Sequence, residues 1–181
     1  MPTSALTALT AIDALELSPG DSVLAVGATG GVGSFAVQLA ARAGATVLAP
    51  ALPEDEQFLR GLGVSELLAR DGDGAAAVRE RHPDGVDGVL DLVSYAPGAF
   101  DAAVKSAGRV ASPNGAAGDG VGRTNVMAAP THENLQRLGL LLADGALRVS
   151  LQATYELAQA PEALAALGAS HTQGKLAIRV G

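Results

Sequence analysis

No cysteine occurs in this chain, which removes disulfide bonds and thiolate metal ligands together. Aromatic residues are scarce, at 3%. The interior must therefore be built from Ala, Val and Leu, side chains short enough to let helices lie close on a sheet. Basic clusters are missing as well, and a formal charge of −7 makes nucleic acid or an anionic membrane a poor partner. No apolar run reaches membrane-spanning length. The opening MPTSALTALTAIDAL lacks the basic residues of a signal peptide, so the expected compartment is the cytoplasm. His82, His132 and His171 stand far apart without ligand-like spacing, so no metal site is expected. What remains is 181 residues, 48% hydrophobic and 17% charged, the profile of one globular domain with a full core.

Strand-like and helix-like segments alternate. Residues 5–15 form a short apolar helix stopped by SPGD. SVLAVG (22–27) has strand length and is apolar throughout, as suits a strand buried on both faces. After a glycine-rich turn, Val32, Phe35, Ala36, Leu39, Ala40 and Ala43 recur at helical spacing, and Gly44 ends that helix. Strands are predicted at 45–50, 65–69, 85–93, 108–113 and 124–129. Helices are predicted at 53–63, 74–82, 97–107 and 131–145. Such alternation predicts an α/β domain with a Rossmann-type doubly wound parallel sheet of about six strands, covered by helices on both faces.

The turn GATGGVGS (27–34) admits several readings. A phosphate-binding P-loop would place Gly-Lys where Val32 and Gly33 stand. A short-chain dehydrogenase would carry Tyr-x-x-x-Lys, but Ala99 follows Tyr95 and Gln159 follows Tyr155 at that spacing. A dinucleotide turn fits best. Gly30 and Gly33 fill the second and third glycine positions of G-x-G-x-x-G, with Ala28 in the first. Gly30 would admit the pyrophosphate, Gly33 would let the helix pack on the strand, and the helix N-terminus would face the anion. Ala28, Thr29, Gly30, Gly31, Val32 and Gly33 are thus the candidate diphosphate-binding residues. A turn whose glycines serve only tight packing is the plain alternative.

These residues, with FLRGLGVSELL, GVDGVLDLV, GRVASPNGA and SHTQGKLAIRVG, resemble the zinc-independent quinone-reductase branch of the medium-chain dehydrogenase/reductase superfamily. The resemblance implies hydride transfer from NADPH to a quinone, enone or enoyl thioester. It implies that residues 1–147 form the dinucleotide-binding domain, and that 148–181 is a tail returning to a front domain missing here. The last strand, KLAIRV, would then lack its usual partners, and a homodimer joined partly through TNVMAA is expected. The alternative class is a non-catalytic nucleotide-binding or assembly module, or a truncated fragment without activity of its own.

Cofactor choice is divided. The second strand ends Ala49-Pro50-Ala51-Leu52, where an acid would suit NAD and a basic or hydroxyl group NADP. The resemblance places the 2′-phosphate clamp near Ala51 and Asp55, and Asp55 would repel a phosphate. Arg70, after the third strand, falls where the family often has a tyrosine and can compensate. Ala49, Pro50 and Arg70 are therefore candidates at the adenosine end. Val93, Ser94, Ser112 and Asn114 are candidates at the nicotinamide end, past the fourth and fifth strands. Asp91 reads as a structural acceptor, and a structural role is also expected for His171 and Lys175. Tyr95 is the aromatic hydroxyl near this edge, but no acid, base or nucleophile constellation stands out.

Overall fold

A computed structural model describes residues 2–169 and 171–181. Met1, and Ser170 at the head of the tail motif, lie outside the described residues. The chain runs α1 (Pro2–Leu15), β1 (Ser22–Val26), α2 (Gly33–Arg42), β2 (Thr46–Ala51), α3 (Glu56–Leu62), β3 (Glu66–Ala69), α4 (Gly74–Arg81) and β4 (Val86–Asp91). It continues with β5 (Val104–Ser112), β6 (Arg123–Asn125), α5 (His132–Ala143), β7 (Leu151–Glu156), α6 (Ala160–Ala169) and β8 (Lys175–Arg179).

The first six strands make one sheet in the order β3-β2-β1-β4-β5-β6, with every described pairing parallel. The order reverses between β1 and β4, the place where an open α/β sheet leaves a crevice at its strand ends. Side-chain alternation builds a core on each face. Val23, Ala25, Val47, Ala49, Leu90 and Ala111 join the core under α1, α2, α3 and α5. Leu24, Leu48, Val89 and Val110 point the other way and join Ala75 and Val78 of α4. That two-sided burial explains why β1 and β2 carry apolar residues without a polar face. With so few aromatics the first core is largely Ala, Val and Leu around one fully buried ring, Phe35, with Phe58 packed at its margin.

Local signals match the observed ends of several elements. Asp73 caps α4 by accepting from the amides of Ala75 and Ala76. Thr131 caps α5 by accepting from the Asn134 amide. Gly63, in the left-handed conformation at φ 110°, ends α3.

Three expectations require correction. Residues 97–107, read as a helix, form only a 3-10 turn at Asp101–Ala103 and then enter β5 at Val104. Helical propensity there loses to strand pairing: Val104 lies opposite Val86, and a register shift follows before Gly88 meets Arg109. Arg79 of α4 also ties this segment down, donating to the carbonyl oxygens of Ala102 at 2.6 Å and Val104 at 3.4 Å. Second, KLAIRV is not left without a partner. β8 pairs in parallel with β7, from Leu151 opposite Lys175 to Glu156 opposite Arg179. The sixth strand is also shorter than expected, three residues against β5.

Asp87 of β4 joins three segments of this sheet. It accepts from the Ser22 amide and hydroxyl, each at 2.9 Å, and from Lys105 Nζ at 2.6 Å. Burial works against its ionisation, but the Lys105 and Ser22 hydrogen bonds outweigh it and hold the carboxyl below its ordinary range. A carboxyl with a depressed folded value stabilises above its unfolded value and loses that contribution as pH falls through the folded one. Asp87→Asn should therefore cost about 1.5 kcal/mol near neutrality. The gap to wild type should begin to narrow in urea titrations carried below pH ~4 and close only once the pH has fallen through the depressed folded value, where both carry a neutral group.

Candidate functional site

β1 ends at Val26, and the chain must turn back to start α2 beneath it. Gly27 makes the turn at φ +84°, and an added Cβ would lie 2.7 Å from Val93 Cγ2. Gly33 is tighter still. A Cβ there would sit 2.1 Å from the Gly27 carbonyl oxygen and 2.7 Å from Ala28 Cα. No side chain caps the N-terminus of α2. The amide of Gly30 donates to Gly27 and that of Ser34 to Gly30, while those of Gly31 and Val32 find no protein acceptor among the described residues. Open amides at a helix N-terminus, lined by glycine, can take an anion.

A groove of about 780 Å³ runs past this turn along the strand ends. Of the candidate residues it is lined by Thr29, Gly30, Gly31, Val32 and Gly33 on the turn, Pro50 and Arg70 on the β2–β3 side, and Val93 and Asn114 on the β4–β5 side. Ala28, Ala49, Ser94 and Ser112 do not line it. Ala28, Ala49 and Ser112 are buried behind it. The Ser112 hydroxyl accepts from the amides of Asn114 at 3.1 Å and Ala116 at 3.3 Å, so it shapes the loop after β5. Asn114 Nδ2 donates to the Leu92 carbonyl at 3.1 Å and couples that loop to the one after β4. Asp91, buried, accepts from the amides of Val93 at 3.0 Å and Ser94 at 2.8 Å, as its reading as a structural acceptor required. Tyr95 is 80% exposed and outside the groove lining, so it faces no reacting group there.

Several lining residues were not singled out beforehand. Gly27 could have been found from its place directly after an apolar strand. Leu92 and Pro113 adjoin residues that were chosen. Asp55 and His171, named above as a repelling acid and a structural residue, line the groove as well, with Thr172 beside them. His171 Nε2 lies 2.5 Å from Asp55 Oδ1, and Gln173 Nε2 donates to the same oxygen at 3.0 Å. The Asp55 side chain is wholly buried. Burial opposes its charge, yet the His171 and Gln173 bonds and the Leu52 amide hold its carboxyl below the ordinary range. The tail reaches the glycine turn too: the Gly174 amide donates to the Thr29 carbonyl at 2.7 Å. Lys175 Nζ bonds Ser4 Oγ at 2.8 Å and lies where a Gly31 Cβ would approach within 2.8 Å. More than a hundred residues separate these partners in the chain, so no local pattern could reveal them.

A family model described as zinc-binding dehydrogenase matches residues 62–178. The chain belongs to the zinc-binding dehydrogenase family, within the medium-chain dehydrogenase/reductase superfamily, as a nicotinamide-dinucleotide-binding oxidoreductase domain. A quinone oxidoreductase from Coxiella burnetii superimposes with a TM-score of 0.86 at 31% identity, over 100% of this chain and 59% of that one. The spectinabilin polyketide synthase system protein NorB of Streptomyces orinoci is 32% identical over 203 residues, spanning 98% of this chain and 9% of that protein. A crotonyl-CoA carboxylase/reductase from Cereibacter sphaeroides is 43% identical over 56 residues, 30% of this chain and 13% of that protein. The chain thus spans less than two thirds of each of these relatives.

The family's name invokes zinc, but the residues here do not fit that ion. The chain has no cysteine, and among the described residues no group of three His, Asp or Glu side chains converges. His82 bonds Glu66 and His171 bonds Asp55, at separate places. A dinucleotide does fit: the open amides and the glycine floor suit a diphosphate, and the groove continues from there to Arg70 on one side and Asn114 on the other. Among the described residues no helix is long and apolar enough to cross a membrane.

The glycines differ in what a methyl group would test. Gly33→Ala should cost about 3 kcal/mol or more in chemical denaturation, because backbone rather than side chain stands in the way. At Gly30 a Cβ would meet only the Gly27 carbonyl oxygen, at 3.4 Å. Gly30→Ala should leave stability within about 0.5 kcal/mol of wild type.

Proposed function

We propose that this chain binds a reduced nicotinamide dinucleotide along the groove and presents it for hydride transfer to a quinone, enone or enoyl thioester. The observation that carries this reading is the uncapped N-terminus of α2, opening onto a groove that joins the ends of β1, β2, β3, β4 and β5. The diphosphate would rest on the amides of Gly31 and Val32, over Gly30. The adenosine would extend past Pro50 toward Arg70, and the nicotinamide past Val93 toward Asn114. When bound, the nicotinamide supplies the hydride, and the protein supplies position and a dry wall. Asp91 and Ser112 hold the loops that form this wall without entering it. An electron-poor alkene or quinone as acceptor is supported by the relatives, among them a quinone oxidoreductase and a crotonyl-CoA reductase.

Mixing the chain with NADPH or NADH should enhance and blue-shift nicotinamide fluorescence at micromolar nucleotide. Gly30→Ala should weaken that binding by about ten-fold or more while the thermal midpoint holds, because it intrudes on the ligand and spares the fold. Loss of reduced-nicotinamide absorbance with a simple quinone or crotonyl-CoA, abolished by the same variant, would support turnover. Binding without turnover would mark a non-catalytic module, and no binding at millimolar nucleotide would overturn the reading.

Self-association is part of the same proposal. Among the described residues β6 borders only β5, and beyond it Met127 is 84% exposed. An open strand edge beside an exposed apolar side chain favours pairing with a second copy. Light scattering at high protein concentration should report a dimer; a monodisperse monomer would overturn this.

A further inference from the structure

Among the described residues β7 and β8 pair only with each other. A two-stranded sheet is marginal by itself. Leu151, Leu157, Leu164 and Leu167 are each more than half exposed, so the tail has little core of its own. Its order therefore depends on where it is tied to the sheet domain. One tie lies on α2, where buried Gln38 grips the backbone of Arg148. The Gln38 Oε1 accepts from the Arg148 amide at 2.8 Å, and its Nε2 donates to the Arg148 carbonyl at 3.0 Å. Another lies on the glycine turn, where the Gly174 amide donates to the Thr29 carbonyl at 2.7 Å.

That second tie is a crowded junction. Gly174 has φ +83°, and an added Cβ would lie 2.4 Å from the Ser150 carbonyl oxygen. The same carbonyl accepts from the Lys175 amide at 2.9 Å. The turn, the entry to β7 and the entry to β8 thus meet with no room for a methyl group. Lys175 then crosses Gly31 and ends on Ser4 Oγ at 2.8 Å.

The Thr29 carbonyl and the Gly30 amide are opposite ends of one rigid peptide plane. Gly174 holds the first end, and the Gly27 carbonyl holds the second at 3.1 Å. Residues 30 and 31 are glycines, so without the first hold this plane can rotate at little steric cost. A carbonyl turned into the groove would repel a phosphate. With Gly174 in place the Thr29 carbonyl is committed to the tail, and the Gly31 and Val32 amides stay open.

Resting on the nucleotide reading above, we propose that the tail is a clamp on the glycine turn, with Gly174 as its positioning residue, so that nucleotide binding and tail docking stabilise each other. The docked tail holds the turn in the form that accepts a diphosphate. A bound diphosphate fixes the turn, and the fixed turn holds the Thr29 carbonyl against Gly174. Such coupling is reciprocal: the factor by which docking raises nucleotide affinity is the factor by which nucleotide favours docking.

Hydrogen exchange of the full chain tests this. The readout is β7, Leu151–Glu156, because none of its residues lines the groove and a nucleotide cannot shield it directly. Saturating NADH should slow exchange in residues 27–34 and also slow it about five-fold or more in β7. Gly174→Ala should speed β7 exchange without nucleotide and weaken NADH and NADPH alike, by about five-fold or more in fluorescence titration. Gln38→Leu, which loosens the other tie from outside the groove lining, should lower both affinities too, with thermal melts to verify that the sheet domain stays folded. The proposal is overturned if NADH slows the turn and leaves β7 unchanged, a measurement that needs only wild type. It is equally overturned if a folded Gly174→Ala exchanges β7 as wild type does, or binds both nucleotides as tightly. If millimolar NADH and NADPH slow neither the turn nor β7, the groove reading itself falls, and this proposal with it.

Discussion

Helix α2 begins where a methyl group on Gly33 would lie 2.1 Å from the Gly27 carbonyl oxygen. This approach of helix to strand end governs the rest of the molecule. It sets α2 flat against β1, which places Phe35 and Ala36 in the core and leaves the first amides of the helix facing outward. Gly27, in the left-handed conformation, then lets Leu92 and Val93 pack against the turn. A side chain at either glycine would push the helix off the strand, and the groove would lose its floor.

The sheet around this contact divides its labour by position along the strands. Strand interiors are apolar on both faces and hold the layers together. At the strand ends the polar groups turn inward to their own loops: Asp91 to the amides of 93 and 94, Ser112 to those of 114 and 116, Asn114 to the Leu92 carbonyl. The groove itself is left with backbone, glycine and apolar walls, to which Arg70 and Asp55 add charge and His171 a polar ring at one side. Such a surface suits binding and orientation more than acid–base work, and it agrees with a family whose cofactor carries the reactive hydride.

Legibility in the sequence followed the range of the interaction. β1, the glycine turn and α2 were readable because each residue's partner lies within a few positions, and the same holds for the Asp73 and Thr131 caps. Residues 97–107 were not, because Val104 answers to Val86 and Arg79, both distant, and these outweigh a local helical tendency. Of the candidate site residues, those on the turn reach the groove through backbone geometry that glycine spacing reports. Ser112 and Ala49 carry the right position along a strand but face inward, since alternation within a strand cannot tell which face a loop will leave open.

By itself, then, the sequence determined an alternating α/β chain, a doubly covered parallel sheet and a turn able to meet a diphosphate. Hydrophobic period and glycine placement are local properties that survive without knowledge of the rest. Only the tertiary structure decided how the tail is used. Folding brings His171, Gln173 and Lys175 back across more than a hundred residues to Asp55, Arg70 and the glycine turn. Nothing in the pattern of either segment records the other, because hydrogen bonds between side chains on separate elements leave no periodicity to read.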